Sequence, residues 1–189
     1  MDINSKKIIN ALRSDLVPFS GIREFPHEPG VYAIGFTGHH FPFPVGLKAV
    51  NKNDIIYIGK TEKGQRDRHA KTHFNSGKTG SSTLRRSLGA ILLDELKLKP
   101  IPRSKSEIRM RDYKFIEESE KQLTAWMVDN LSLSYFIINE GKRIIRKAEI
   151  EIINEINPIL NITHNLSSPY VSMLKELRKK CKLIAKDQG

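Results

Sequence analysis

The chain has 189 residues, enough for one domain with additions and a sizeable core, and it carries 32 Lys and Arg against 21 Asp and Glu for a net charge of +11. No apolar run approaches the roughly 20 residues of a membrane-spanning helix, and Asp2, Asn4, Lys6 and Lys7 leave no room for a signal-peptide core at the start. Cys181 is the one cysteine, which excludes a disulfide framework and a cysteine metal site and makes the cytoplasm the default expectation.

In chain order, Ser5 to Arg13 reads as a short amphipathic helix and Pro18 to Pro29 as a proline-punctuated loop. Val31 to Phe36 alternates in the manner of a strand, and a loop rich in Gly, His and Pro (Thr37 to Gly46) leads to a second strand, Asp54 to Ile58. The pair, separated by a long irregular connection, is expected to be antiparallel. The pattern is helical after Gly64 as far as Phe74, and Gly77 to Ser82 reads as a flexible loop. Ser82 is placed as the N-cap of a helix running through Leu84, Leu88, Ile91, Leu92 and Leu96. Lys99 to Ser106, with Pro100 and Pro102, reads as a linker. A short strand (Tyr113 to Ile116), a helix (Glu117 to Leu131), a third clear strand (Leu133 to Ile138) and a helix from Lys142 to Ile156, stopped by Pro158, follow. Ser168 to Ala185 closes the chain as a basic amphipathic helix. The expectation is a small mixed α/β (α+β) domain with about three strands.

The charge is uneven. Between Lys60 and Arg111 there are fourteen Lys or Arg against five Asp or Glu, and from Ser168 onward six against two. Basic arms of this kind suit a polyanion, because each cation that neutralises a phosphate releases counterions without reading sequence. A basic protein kept soluble by its charge has the same composition.

Glu149 carries the sharpest signal for chemistry. On a helical wheel Ile145, Ala148, Ile152 and Ile156 form the apolar stripe, and Glu149 falls inside it. A buried carboxylate is unfavourable unless it is paired, hydrogen-bonded or bound to a cation. A salt bridge to a nearby Arg or Lys is one solution, and a divalent metal beside a phosphate is another. Tyr32 and Tyr57 stand on neighbouring strands and can share a face; strand tyrosines are usually packing residues, but two convergent hydroxyls near a phosphate could orient or deprotonate a water. Arg68 and His73 lie in a basic run, where a solvated helix face competes with a role at a pentavalent phosphorus. His69 and His73 have the i,i+4 spacing of paired metal ligands, yet lack an obvious third ligand, which disfavours zinc. Gly59-Lys60-Thr61 and Gly77-Lys78-Thr79 end like a phosphate-binding P-loop, but the glycine required five residues earlier is Asp54 or Thr72, so neither is one. Ser82, Arg85 and Arg86 at a helix start, and Arg178 and Lys179 in the terminal helix, are further candidate phosphate contacts, as are Lys60, Arg66 and Lys71.

Taken in order, Gly30-Val31-Tyr32, Tyr57-Ile58-Gly59, Arg68, His73, Glu149 (nine residues before Pro158) and Asn161 resemble the GIY-YIG nuclease family over about residues 29–162, in the manner of a stand-alone, restriction-type member. The resemblance implies one catalytic domain with a core of about 29–163, an insertion at about 77–111 and a C-terminal helix at about 168–185. It implies a three-stranded antiparallel sheet flanked by helices, and one Mg²⁺, for which Mn²⁺ can substitute, held by Glu149. It implies hydrolysis of DNA, most simply duplex, to 5′-phosphate and 3′-hydroxyl ends, in a restriction or phage-defence setting. Under it Tyr32 positions or activates the attacking water, Tyr57 and His73 assist, and Arg68 stabilises the transition state. Lys60 contacts phosphate or lowers a tyrosine pKa, and Asn161 braces the site. The Arg68 to His73 interval is five residues where the family commonly has four, so Arg66 or His69 can share the arginine's part. A catalytically inactive nucleic-acid-binding protein of the same fold is the alternative, and a two-fold homodimer would suit a cut at a palindrome.

Overall fold

The structure, a computed structural model, describes residues 4–42, 51–62, 64, 72–104 and 112–188. Helix α1 (Ser5–Ser14) starts at Asn4, whose side chain accepts the Lys7 N–H at 3.0 Å. Strands β1 (Val17–Pro18), β2 (Gly30–Phe36), β3 (Ile55–Thr61) and β6 (Leu131–Ile137) form one antiparallel sheet in the order β1-β6-β2-β3. Between β3 and β6 come α2 (Thr83–Ile91), a two-stranded ribbon of β4 (Pro100–Pro102) and β5 (Tyr113–Phe115), and α3 (Glu117–Asn130). Helices α4 (Lys142–Ile156) and α5 (Tyr170–Asp187) complete the described α-helices, and short 3-10 turns stand at Phe19–Gly21 and Thr79–Ser81. None of these helices is long and apolar enough to cross a membrane.

The three expected strands are present and antiparallel, with β2 in the centre. Alternation along them gives the sheet two different faces. Val31, Ala33 and Ile58 pack under α1 and α4 with Ile8, Ile9, Leu12, Ile145, Ala148 and Ile152. Tyr32, Ile34, Phe36 and Tyr57 face a second, larger cluster built with α2, α3, β5 and α5. The insertion therefore shares one core with the sheet, because Leu84, Leu88, Tyr113 and Phe115 bury themselves in it.

Four expectations need correction. The stretch read as the loop Pro18 to Pro29 begins inside a fourth strand, since β1 pairs Val17 with Leu133 and Pro18 with Ser132. Proline is tolerated there because β1 is an edge. The Lys99 to Ser106 linker contains β4, clamped to β5 by Ile116 N–H donating to the Lys99 carbonyl (3.1 Å) and Arg103 N–H to that of Asp112 (3.0 Å). The helix capped by Ser82 ends at Ile91 rather than near Leu96, and Leu92 is buried just beyond its end while Leu96 is half-buried in a turn. The Gly77 to Ser82 loop is pinned, with Gly77 N–H and Thr79 Oγ1 both donating to Glu120 Oε2 (3.2 and 2.9 Å). Helix α4 has the bounds its periodicity predicts and ends at Asn157 in the left-handed conformation (φ 52°), just before Pro158.

Candidate active site

Strand register decides where the tyrosines go. Tyr32 pairs with Gly59 and Ile34 with Tyr57, so both tyrosines emerge on one face with ring centroids 6.2 Å apart. The glycine of Tyr57-Ile58-Gly59 has a steric reason: a Cβ at residue 59 would overlap the hydroxyl end of the Tyr32 ring. Tyr32 can lean across β3 only over a residue without a side chain. Gly30 is confined in the same way, since a Cβ there would strike the Phe136 carbonyl of β6.

His73 completes the cluster. Its Nε2 lies 2.7 Å from Tyr32 Oη, its Nδ1 lies 2.7 Å from Ser82 Oγ, and its ring is 6.1 Å from that of Tyr57. Tyr32, His73 and Ser82 have no solvent exposure. The neighbouring Phe74 stacks on Phe19 at 3.5 Å between centroids, which fixes the segment against the turn after β1. Arg85 Nη1 donates to the His73 carbonyl at 3.0 Å. The Arg85 guanidinium is itself buried and bonded to Glu120 Oε2 at 2.7 Å, to Thr79 Oγ1 at 3.2 Å and to Thr124 Oγ1 at 2.9 Å. Burial pulls the Arg85 pKa down while the Glu120 carboxylate opposes the shift.

Asn161 reads like a missing strand. β3 is the sheet's outer edge, and Asn161 Oδ1 accepts the Ile58 N–H while its Nδ2 donates to the Ile58 carbonyl, both at 2.8 Å. Leu160 N–H donates to the Ile56 carbonyl at 2.9 Å, extending the pairing. These bonds satisfy backbone groups that an edge otherwise leaves open. Asn165 Nδ2 in turn donates to the carbonyls of Pro158 (2.8 Å) and Asn161 (3.1 Å) and holds that segment in place.

Lys60 and Glu149 belong to the other side. Lys60 opposes Val31 and bonds Glu62 at 2.6 Å, and Lys142 at the start of α4 lies 3.2 Å from the same carboxylate. The Lys60 hydrogen bond, and then that of Lys142, holds the Glu62 pKa below its usual range. Glu149 is half-buried on α4, beside the fully covered Ala148. The wheel reading, which put Glu149 inside the buried stripe, is corrected: the side chain stands at the rim of the stripe. Among the described residues no three His, Cys, Asp or Glu side chains cluster tightly enough to hold a metal. A single carboxylate fits Mg²⁺ all the same, because that ion keeps several waters and shares phosphate oxygens.

The basic contacts divide. Arg66, Arg68, His69 and Lys71 lie outside the described residues. Arg85 is corrected from phosphate contact to internal anchor, because its guanidinium is buried and fully bonded to protein. Ser82 is corrected likewise: it is buried, accepts the Arg85 N–H at 3.1 Å as the cap of α2 and contacts His73. Arg86 is half-buried and paired with Asp112 Oδ2 at 2.6 Å, so it is not an open phosphate site. Arg178 and Lys179 line a groove of about 350 Å³ with Ile162, Lys175 and Lys182, where Arg178 is partly buried and that burial lowers its pKa.

The family model described as the GIY-YIG catalytic domain matches residues 30–180. The chain belongs to the GIY-YIG nuclease family. Membership implies nuclease activity on DNA. No curated protein and no solved structure gives a significant match. The matched span of this GIY-YIG chain begins at the glycine of Gly30-Val31-Tyr32 and includes the insertion that supplies Ser82 and Arg85. Sequence reading missed the coupling of that insertion to His73, and also missed Glu120 and Asn165. Glu120 has a faint signal as the third acid in the first turn of α3, a placement that helix-dipole stabilisation also explains.

Proposed function

We propose that the chain is a metal-dependent endonuclease that hydrolyses DNA phosphodiester bonds, with Tyr32 as the group that orients or deprotonates the attacking water. The observation that carries this reading is the buried Tyr32 Oη to His73 Nε2 hydrogen bond of 2.7 Å, set over Gly59. A tyrosine hydroxyl is a poor base at neutral pH, and a close donor or acceptor is what changes that. Tyr57 borders the same pair. Arg68 is assigned the charge that develops on the phosphoryl oxygens. Glu149 would hold one Mg²⁺, with Mn²⁺ as substitute; when bound, that ion supplies Lewis-acid polarisation of the phosphate. Tyr32 and Lys60 occupy opposite faces at the same end of the β2–β3 ladder, where Gly30 pairs with Thr61. A phosphodiester laid over that end would reach both faces, with Asn161 keeping β3 in register. Duplex DNA would run on to the Arg178 and Lys179 groove. A setting in restriction or phage defence is supported by an insertion built into the core rather than tethered to it.

The test is supercoiled plasmid incubated with wild type or Glu149→Ala in Mg²⁺, Mn²⁺ or EDTA. Metal-dependent nicking or linearisation by wild type is expected, with a loss of at least about 100-fold in the mutant, the scale of several kcal/mol of transition-state stabilisation. A second reading, a DNA binder of this fold without catalysis, is favoured by the complete burial of Tyr32 and His73. It requires DNA retarded on a gel and cut under none of these conditions.

A further inference from the structure

We propose that Ser82, a residue of the insertion, is a positioning residue that fixes His73 in its Nε2–H tautomer, so that His73 donates a hydrogen bond to Tyr32 Oη. The inference rests on the nuclease reading for its catalytic consequence, but not for its geometry. Ser82 Oγ lies at the meeting point of two groups: it accepts the Arg85 N–H at 3.1 Å and stands 2.7 Å from His73 Nδ1. A hydroxyl has one proton to give and two lone pairs to offer. Among the described residues its hydrogen-bond partners are that N–H and the imidazole nitrogen. The N–H is a donor only, so His73 Nδ1 is where the hydroxyl proton can go. Nδ1 then accepts, and a neutral imidazole that accepts at Nδ1 carries its proton on Nε2. The Nε2–H in turn faces Tyr32 Oη at 2.7 Å. In the opposite tautomer the Ser82 oxygen would accept twice and its proton would be stranded in a fully buried site.

The direction of this chain decides what His73 does. Donation to Tyr32 Oη places an N–H where the phenol oxygen accepts it, leaving that oxygen to act toward water rather than toward the imidazole. An ionised Tyr32 takes a proton from water as the water oxygen bonds to phosphorus and the 3′-oxygen departs, to be protonated by solvent. With Nε2 already protonated, neutral His73 cannot serve as the acceptor of Tyr32's proton. Among the described residues, the contacts of Arg85 and Tyr57 hold the ring without choosing its tautomer. Arg85 bonds the His73 carbonyl, Glu120 anchors Arg85, and Tyr57 lies against the ring edge.

Nitrogen-15 NMR of selectively labelled protein reads the tautomer without DNA. Wild type is expected to show His73 as Nε2–H at neutral pH. An Nδ1–H signal would overturn the proposal whether or not the protein cuts DNA. Ser82→Thr keeps cap and proton, Ser82→Asp keeps the cap but offers no proton, and Ser82→Ala keeps neither. Single-turnover cleavage should fall about 10- to 100-fold in Ser82→Asp and Ser82→Ala, in kcat with little change in KM, as for a group acting through its neighbour. Ser82→Thr should restore the rate to within a few-fold. Loss in Ser82→Ala alone, with Ser82→Asp active and Nδ1–H, would reduce Ser82 to a helix cap and sink the idea. A wild type that shows Nε2–H and cuts nothing would defeat the nuclease reading while upholding the His73 assignment.

Discussion

The two faces of the sheet are buried to similar depth but held by different physics. Under α1 and α4 the core is almost wholly aliphatic among the described residues, with Ser134 Oγ donating to the Leu12 carbonyl at 2.6 Å as a buried polar link. Under α2, α3 and α5 the same sheet faces Tyr32, His73, Arg85, Glu120, Tyr113 and Cys181, every one of them buried. Aliphatic packing is non-directional and tolerates small changes of shape. A buried polar web is costly unless each member is satisfied, and once satisfied it permits few arrangements. The candidate chemistry lies on the second face, where position matters most, while the first face supplies burial and carries Glu149 at its rim.

The sharpest way to break this contrast is Glu120→Gln. The carboxylate is within 2.7 Å of Arg85 Nη2 and also receives Gly77 N–H and Thr79 Oγ1, while its Oε1 accepts the Phe115 N–H at 3.3 Å. Removing one charge of a buried pair leaves the other uncompensated, at a cost of about 3–5 kcal/mol. A fall of that size in unfolding free energy is expected from urea denaturation. Since the lost anchor releases Arg85 from the His73 backbone, any DNA cleavage should fall further than the folded fraction alone accounts for. A cost under about 1 kcal/mol would mean the web contributes no more than ordinary packing.

The same contrast explains what could be read from sequence. Helix α4 was legible to its ends, because a strict stripe, a stop at Pro158 and one misplaced carboxylate are all local signals. Strands β2 and β3 were legible from alternation, but that Tyr32 crosses β3 over Gly59 was not, because the overlap joins two strands. The bond between Tyr32 and His73 spans 41 residues and the Asn161 brace 103, and no periodicity encodes such distances. Arg85 looked like a surface cation beside a helix cap because its partner, Glu120, sits 35 residues away on another element. The ribbon strand β4 was hidden by Pro100 and Pro102, which read as linker until β5 is there to pair with.

The pH dependence of stability should also belong to the polar face. Burial pushes the Cys181 thiol from its ordinary 9.0 up to about 11, and it also raises Tyr113 well above its usual value. In each case the folded protein keeps a proton that the unfolded chain releases at lower pH. The contribution is therefore fully present below about pH 9 and declines as pH rises toward about 11, by about 2 kcal/mol for the thiol. Thermal unfolding followed from pH 8 to 11 should show that decline, and Cys181→Ala should flatten it in part, leaving the Tyr113 share. A flat profile in wild type would mean that the seam between α5 and the β4–β5 ribbon admits water.

The smallest expected effect tests the aliphatic face. Ile152 is fully covered between α4 and the sheet. Ile152→Val deletes one methylene, a cost of about 0.5–1.5 kcal/mol. Because the neighbours are aliphatic and no hydrogen bond depends on them, the loss should stay local: unfolding shifts by that amount while the His73 imidazole nitrogen resonances stay where they were. Paired with Glu120→Gln, the two costs should add within about 0.5 kcal/mol, as for sites with no shared partner. Coupling much larger than that would show that the sheet transmits strain from one face to the other. In that case the aliphatic layer would also help set the geometry of Tyr32 and His73.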